Sequence, residues 1–311
     1  MIDGIRDFLA DEGFRTGFLF GLIAVAAVMV VTAVDRRLRP WAGVAFVVAG
    51  LLAIDDEFTV ESEMLIGLGV LAVGGFLALR LPPLVWAVAA APGAVLFTRA
   101  TELDEPGWAM ATILGATLVG GLFTADFDKA FARTGLPPVM LAVSLLGVYV
   151  TTPETQHSIL LTGAALPIAL LGWPWPLASL GVGGAFASTA LVSWAVVLDG
   201  SFRPSAVVGG IACLGMFAVE PVVRRVLGRV ETRQVLVVGG LHVALVGACS
   251  RVAGLRSSTA QALVITVVVY IAAGVALAVL ERRADPDDDV GDATRPAGDV
   301  ARGTSAFPHI S

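Results

Sequence analysis

Two sets of ionisable residues could do chemistry in this chain. His242 stands inside the apolar run 235–250, the only histidine, acid or basic residue near the middle of such a run. An ionisable group at the centre of a membrane is expensive, so it marks a working position by default. Imidazole exchanges a proton near neutral pH, which suits a proton relay or a solute-binding position in a transporter core. The other reading is a neutral ring, hydrogen-bonded to a hydroxyl or carbonyl of a neighbouring helix. At helical spacing Gly239, Val246 and Cys249 share its face, and the small Gly239 lets another helix come close. His242 and Cys249, two turns apart, are too few ligands for a metal.

The second set is Asp55-Asp56-Glu57, with Glu61 and Glu63 close behind, the densest acidic cluster before the C-terminal tail. Crowded carboxylates repel, which favours binding of a proton or a cation. That chemistry needs one or two of them at membrane level; outside it they form a solvated acidic loop. Glu220 precedes Arg224 by four residues, the spacing of a helical ion pair. Glu154 and His157 share a short loop and come within reach of each other there.

Other arrangements are missing. Ser188, Thr189 and Ser193 follow Gly181, Gly183 and Gly184, but without the Gly-x-Ser-x context of a rhomboid-type membrane protease. They read as helix-packing residues. The chain has no Cys-x-x-Cys, zinc spacing, nucleotide loop, metalloprotease pattern or aspartate-rich prenyl-transfer motif. No catalytic set, metal or cofactor is expected. Cys213 and Cys249 lie in apolar runs and read as packed thiols.

The elements that must position these groups are apolar helices. Hydrophobic residues make up 57% of the 311, charged ones only 15%, and the mean hydropathy is +0.85. Soluble domains carry about 25% charged residues. Apolar runs cover 16–34, 41–54, 64–79, 81–98, 106–124, 136–150, 158–172, 177–198, 205–223, 235–250 and 260–280. The expected fold class is an all-α integral membrane protein, a polytopic bundle of about ten or eleven transmembrane helices arranged as hairpins. Residues 1–15 form an amphipathic or polar N-terminal segment, 16–281 the membrane domain, and 282–311 an acidic, disordered tail. Asp3, Asp7, Asp11 and Glu12 stand where a cleavable signal needs a basic start, so none is expected.

Three positions interrupt the helical pattern: Pro92, Gly93 and Pro167 are expected to kink or break their helices. The run 41–54 rises only about 21 Å as a helix, so it crosses thinned membrane or continues into the acidic cluster. Asp126, Asp128, Lys129 and Arg133 read as a loop. Leu81-Pro82-Pro83 and Leu136-Pro137-Pro138 open two helices alike, which suggests internal two-helix repeats.

Basic residues divide 14 to 6 when alternate loops and the tail are placed inside. That bias puts the N-terminus outside and the C-terminus in the cytoplasm of a cell (plasma) membrane. The formal net charge of -6 and a single lysine resemble salt-adapted, halophilic composition and argue against nucleic acid. The lipid bilayer is the expected partner, with other membrane proteins or further copies of the chain beside it. The leading function is transport or permeation of a small solute or ion. In length and helix number the chain resembles ten-helix drug/metabolite-type transporters, with no motif residue behind the likeness. The alternatives are a non-catalytic subunit or scaffold of a membrane assembly, and a membrane enzyme acting on lipid-linked substrate.

Overall fold

The computed structural model describes residues 2–34, 41–57, 60–77, 81–101, 107–172, 179–227, 235–254 and 258–284. Among these, every regular element is helical. In order they are α1 (Ile2–Ala10), α2 (Glu12–Val34), α3 (Ala42–Glu57), α4 (Ser62–Leu77), α5 (Pro83–Ala100) and α6 (Gly107–Gly115). A π-helical turn, Ala116–Gly120, joins α6 to α7 (Gly121–Phe131). Then come α8 (Leu136–Thr151), α9 (Gln156–Gly172), α10 (Gly181–Asp199), α11 (Pro204–Ala212), α12 (Met216–Leu227), α13 (Val235–Gly254) and α14 (Thr259–Ala284). Of the expected tail, 282–311, residues 282–284 continue α14 as helix, and those from 285 onward lie outside the described residues.

Within the described residues each expected apolar run forms a helix or a pair of helices. Among the described residues five are long and apolar enough to cross a membrane: α2, α5, the continuous α6–α7, α10 and α14. The pair α11 and α12, bent by 54°, makes a sixth if taken as one span. This is fewer than ten or eleven because α3, α4 and α8 have 16 residues each and α9 has 17. Such helices rise about 24–26 Å, short of a hydrocarbon core of about 30 Å. The outer faces of α2 and α14 expose Leu19, Ile23, Val30, Val264, Val268 and Ile271. A continuous surface of that kind is compatible with a multi-pass membrane protein.

The bundle is built around α10, where every residue except Leu198 is buried. It packs against α3, α4, α7 and α9, with α5, α6 and α11 completing the ring. Its N-terminal turns, Gly181-Val182-Gly183-Gly184, admit neighbouring backbones directly. A Cβ added to Gly184 would lie 2.7 Å from the Gly43 Cα, and one on Gly183 would collide with the Ala72 carbonyl. Without side chains the helices close to backbone contact, which is how membrane helices gain packing area. The same device joins α2 to α9 through Gly21 and Ala164, and α4 to α5 through Gly93 and Leu71.

Several expectations change at this level. Of the kink or break expected at Pro92-Gly93 and at Pro167, a break is absent: α5 and α9 each run through as one helix. Proline removes only one N–H, and Gly93 is where α4 presses in. The residues read as a loop, Asp126, Asp128 and Lys129, are helical and belong to α7. Segment 1–15 divides at Asp11, whose side chain accepts the Phe14 N–H (3.2 Å) and so caps α2. The Phe8 ring of α1 then packs on Phe14 (4.7 Å) and Tyr149 (5.1 Å). The Leu-Pro-Pro triplets stand in different registers: Pro83 opens α5, whereas Leu136 opens α8 with both prolines inside its first turn.

Gly184→Val should destabilise the bundle by at least about 3 kcal/mol, since backbone on the Gly43 side cannot move aside as a side chain could. Gly69→Ala, where an added Cβ meets nothing within 4 Å, should be neutral or gain up to about 1 kcal/mol. Thermal unfolding of the detergent-solubilised variants checks both.

Candidate functional site

The site begins with the break between α11 and α12. Pro204 opens α11 with its fixed φ and no N–H to satisfy. At the far end the N–H groups of Cys213, Leu214 and Gly215 donate to carbonyls three residues back rather than four (3.0–3.1 Å). This tightened turn swings the chain through 54°. Gly215 allows it, because the Tyr270 ring of α14 occupies the space a side chain would need.

Carbonyls at such a break must find other donors. The Tyr270 hydroxyl donates to the Ala212 carbonyl (2.9 Å), and the Ser144 hydroxyl of α8 donates to the Cys213 carbonyl (3.0 Å). The Cys213 thiol donates to the Gly209 carbonyl (3.4 Å) and lies 3.8 Å from the Thr151 hydroxyl. Side chains from two other helices therefore complete the broken one.

His242, on α13, meets the same cluster. Its Nε2 lies 3.0 Å from the Met140 carbonyl and 3.1 Å from the Ser144 Oγ, both on α8. The Phe217 ring, one turn past the break, stands edge-on to the imidazole at 6.1 Å. The ring is 1% exposed, and its Nδ1 has no hydrogen-bond partner among the described residues. A groove of about 480 Å³ between α6, α11 and α14, lined by Trp108, Val207, Ile211, Leu263 and Tyr270, reaches the Ala212 side of the break.

The acidic cluster lies elsewhere. Asp55 and Asp56 end α3 on the exposed surface, and the Asp55 carboxylate accepts the Val60 N–H (3.2 Å). The Glu57 side chain lies outside the described residues. α3 packs against α2, α9 and α10, whereas α13 packs against α8, α11, α12 and α14. The two sets are not brought together. Thr189 and Ser193 donate to carbonyls of their own helix (2.8 and 2.9 Å), as hydroxyls in buried helices do. Among the described residues no three His, Cys, Asp or Glu side chains converge as a metal site would need.

Sequence reasoning passed over two carboxylates at the ends of α10. Asp128 of α7 is buried, and its two oxygens accept the Leu180 and Gly181 N–H groups (2.8 and 2.9 Å). It thereby caps the central helix, at a glycine with φ 71°. Asp199, the last residue of α10, is also buried. It accepts the His157 Nδ1–H (2.8 Å) and the backbone N–H groups of His157 (3.1 Å) and Ser158 (2.7 Å), capping α9. Glu154 instead accepts the Ser201 hydroxyl (2.8 Å). On α12, Arg224 lies 3.5 Å from Glu220 and donates to Asp126 (3.0 Å), as does Arg225 (2.9 Å). An acid one turn from the end of a long apolar run was the available signal for Asp128.

No protein-family model, curated protein or solved structure matches the chain.

Asp128→Ala would strand two N–H groups at the start of α10. It should cost about 2 kcal/mol, and Asp128→Asn, which keeps one acceptor, about half that. Unfolding midpoints in detergent check the order.

Proposed function

We propose that the chain is a multi-pass protein of the cell membrane that moves a small solute or ion across the bilayer. In this reading all eleven apolar segments cross or enter the membrane as successive hairpins, with the N-terminus outside and the C-terminus in the cytoplasm. The shorter helices are accommodated by local thinning of the bilayer.

One observation carries the functional part: the 54° break at Cys213–Gly215, lined by carbonyls and set against a buried histidine. Irregular backbone at membrane depth is tolerated where protein buries it or where it lines a cavity. Discontinuous helices are the recurring way that transporters present backbone polar groups to a substrate near the bilayer midplane. At this break the Ala212 and Cys213 carbonyls are held by Tyr270 and Ser144, so the open Nδ1 of His242 is the acceptor left for a solute, and the groove between α6, α11 and α14 reaches the Ala212 side of the break. The acidic cluster at Asp55 and Asp56 is assigned no part in binding, because it is exposed and on the other side of α10.

The second reading is an integral subunit or scaffold of a membrane assembly. It draws on the density of packing around α10 and on the long apolar face of α14, which a partner could cover as well as lipid.

Cysteine accessibility separates the two. In a Cys213→Ala, Cys249→Ala background, single replacements His242→Cys, Asp55→Cys and Asp56→Cys are treated with a membrane-impermeant thiol reagent, in intact cells for the outer face and in inside-out vesicles for the inner one. A permeation pathway predicts labelling at position 242 from at least one face. Labelling at 55 and 56 with none at 242 from either face would sink that reading in favour of the assembly subunit.

A further inference from the structure

The hydrogen bonds around His242 fix which of its nitrogens carries the proton. The Met140 carbonyl has no hydrogen to give, so at 3.0 Å it requires a proton on Nε2. The Ser144 hydroxyl has one hydrogen, and it goes to the Cys213 carbonyl. Towards His242, 3.1 Å away, Ser144 can therefore only accept, which again requires Nε2–H. Both contacts select one tautomer, and in the neutral ring that tautomer leaves Nδ1 as a bare lone pair. This nitrogen is buried and without a partner among the described residues. A buried acceptor left open is unusual enough to need a reason.

The surroundings limit what can fill it. Neither α8 nor α11 carries an acid, lysine, arginine or histidine. Arg251 of α13 and the Glu281, Arg282 and Arg283 group of α14 stand at the C-terminal ends of their helices. On α12, Glu220 faces Arg224, which is also held by Asp126. An ion at Nδ1, a proton included, would find no counter-charge on α8 or α11, and an unpaired buried charge is costly.

We infer that His242, fixed as a donor to α8 through Nε2, binds an uncharged small solute through its open Nδ1, and that the solute must carry an N–H or O–H donor. This rests on the permeation reading, because it names the solute class of the same site. The broken helix α11–α12 offers no further acceptor there. The Ser144 and Tyr270 hydroxyls already hold its carbonyls, so the solute meets one acceptor rather than a ring of them.

The test uses the full chain, histidine-labelled with ¹⁵N, in lipid nanodiscs. The His242 resonances are assigned by their loss in His242→Gln. That variant keeps an N–H for the Met140 carbonyl while removing the Nδ1 acceptor, so the fold is retained. The probes are urea, acetamide and glycerol. The expected result is an Nε2–H tautomer at neutral pH and a shift of Nδ1 on adding at least one probe. In proteoliposomes the same probe should cross faster than through protein-free vesicles. His242→Gln should slow it on the order of tenfold, the loss of one buried hydrogen bond.

An Nδ1–H tautomer, an imidazolium, or an Nδ1 that no probe moves would overturn the inference; the last would leave a structural water as the occupant. Sodium or chloride flux without flux of the neutral probes would overturn the solute class and leave permeation standing. A shifted Nδ1 with no flux of any solute would support the binding site and sink permeation.

Discussion

The structure depends on the complete enclosure of α10. A helix with all its faces covered cannot use one apolar stripe, so the usual amphipathic pattern gives no guide to its neighbours. What it uses is size. Gly183 and Gly184 let Ala72 and Gly43 come to backbone contact, while Leu191 reaches Gly50 further along α3 and Phe186 lies against Gly121 of α7. Such packing is unforgiving, since backbone contacts cannot relax as side chains can. It also leaves the ends of α10 buried. Their polar groups must then be satisfied from within, and Asp128 does this at one end. At the other end Asp199 extends the scheme by capping α9.

The region of α8, α11, α12, α13 and α14 follows a different rule. There a helix is allowed to break, and polar side chains from its neighbours repair the loss. Ser144 and Tyr270 are placed one on each side of the break, and each is matched to a single carbonyl. Repair makes the break stable without making it rigid in the way α10 is, because each contact is one hydrogen bond rather than a seam of backbone. The ion pairs of Arg224 and Arg225 with Asp126 tie the outer half of the broken helix to α7, and so to the helix that caps α10. The two regions are joined through α7, which carries Asp126 and Asp128 two residues apart.

Much of the fold was legible in the residues. Runs of apolar residues separated by short charged segments specify helices, because a backbone in lipid or in a dry core must satisfy itself within each segment. His242 was legible for the same reason: a lone ionisable group in such a run is exceptional. The Glu220–Arg224 pair followed from helical spacing. Less was legible where spacing in sequence says nothing about proximity in space. Asp128 looked like a loop charge and Asp199 fell just past the apolar run 177–198, since nothing in their local sequence reveals the helix ends packed against them. Pro92, Gly93 and Pro167 looked like kinks or breaks, and none of them interrupts its helix, because a proline's lost hydrogen bond is tolerated in a well-packed helix. The true break is at Cys213–Gly215, in a stretch without proline.

An apolar, all-helical chain, with a histidine in one of its runs and acids in a few short stretches, follows from the residues alone. Periodicity and composition suffice for that, because helix formation in an apolar setting is a local matter. The tertiary structure alone decided which helix is central, where a helix breaks, and which nitrogen of His242 is left open. Each of these depends on partners far apart in the chain: Gly43 with Gly184, Ser144 with Cys213, Met140 with His242. A hydrogen bond or a backbone contact between distant residues is set by the packing of whole helices, and no local pattern of residues encodes it.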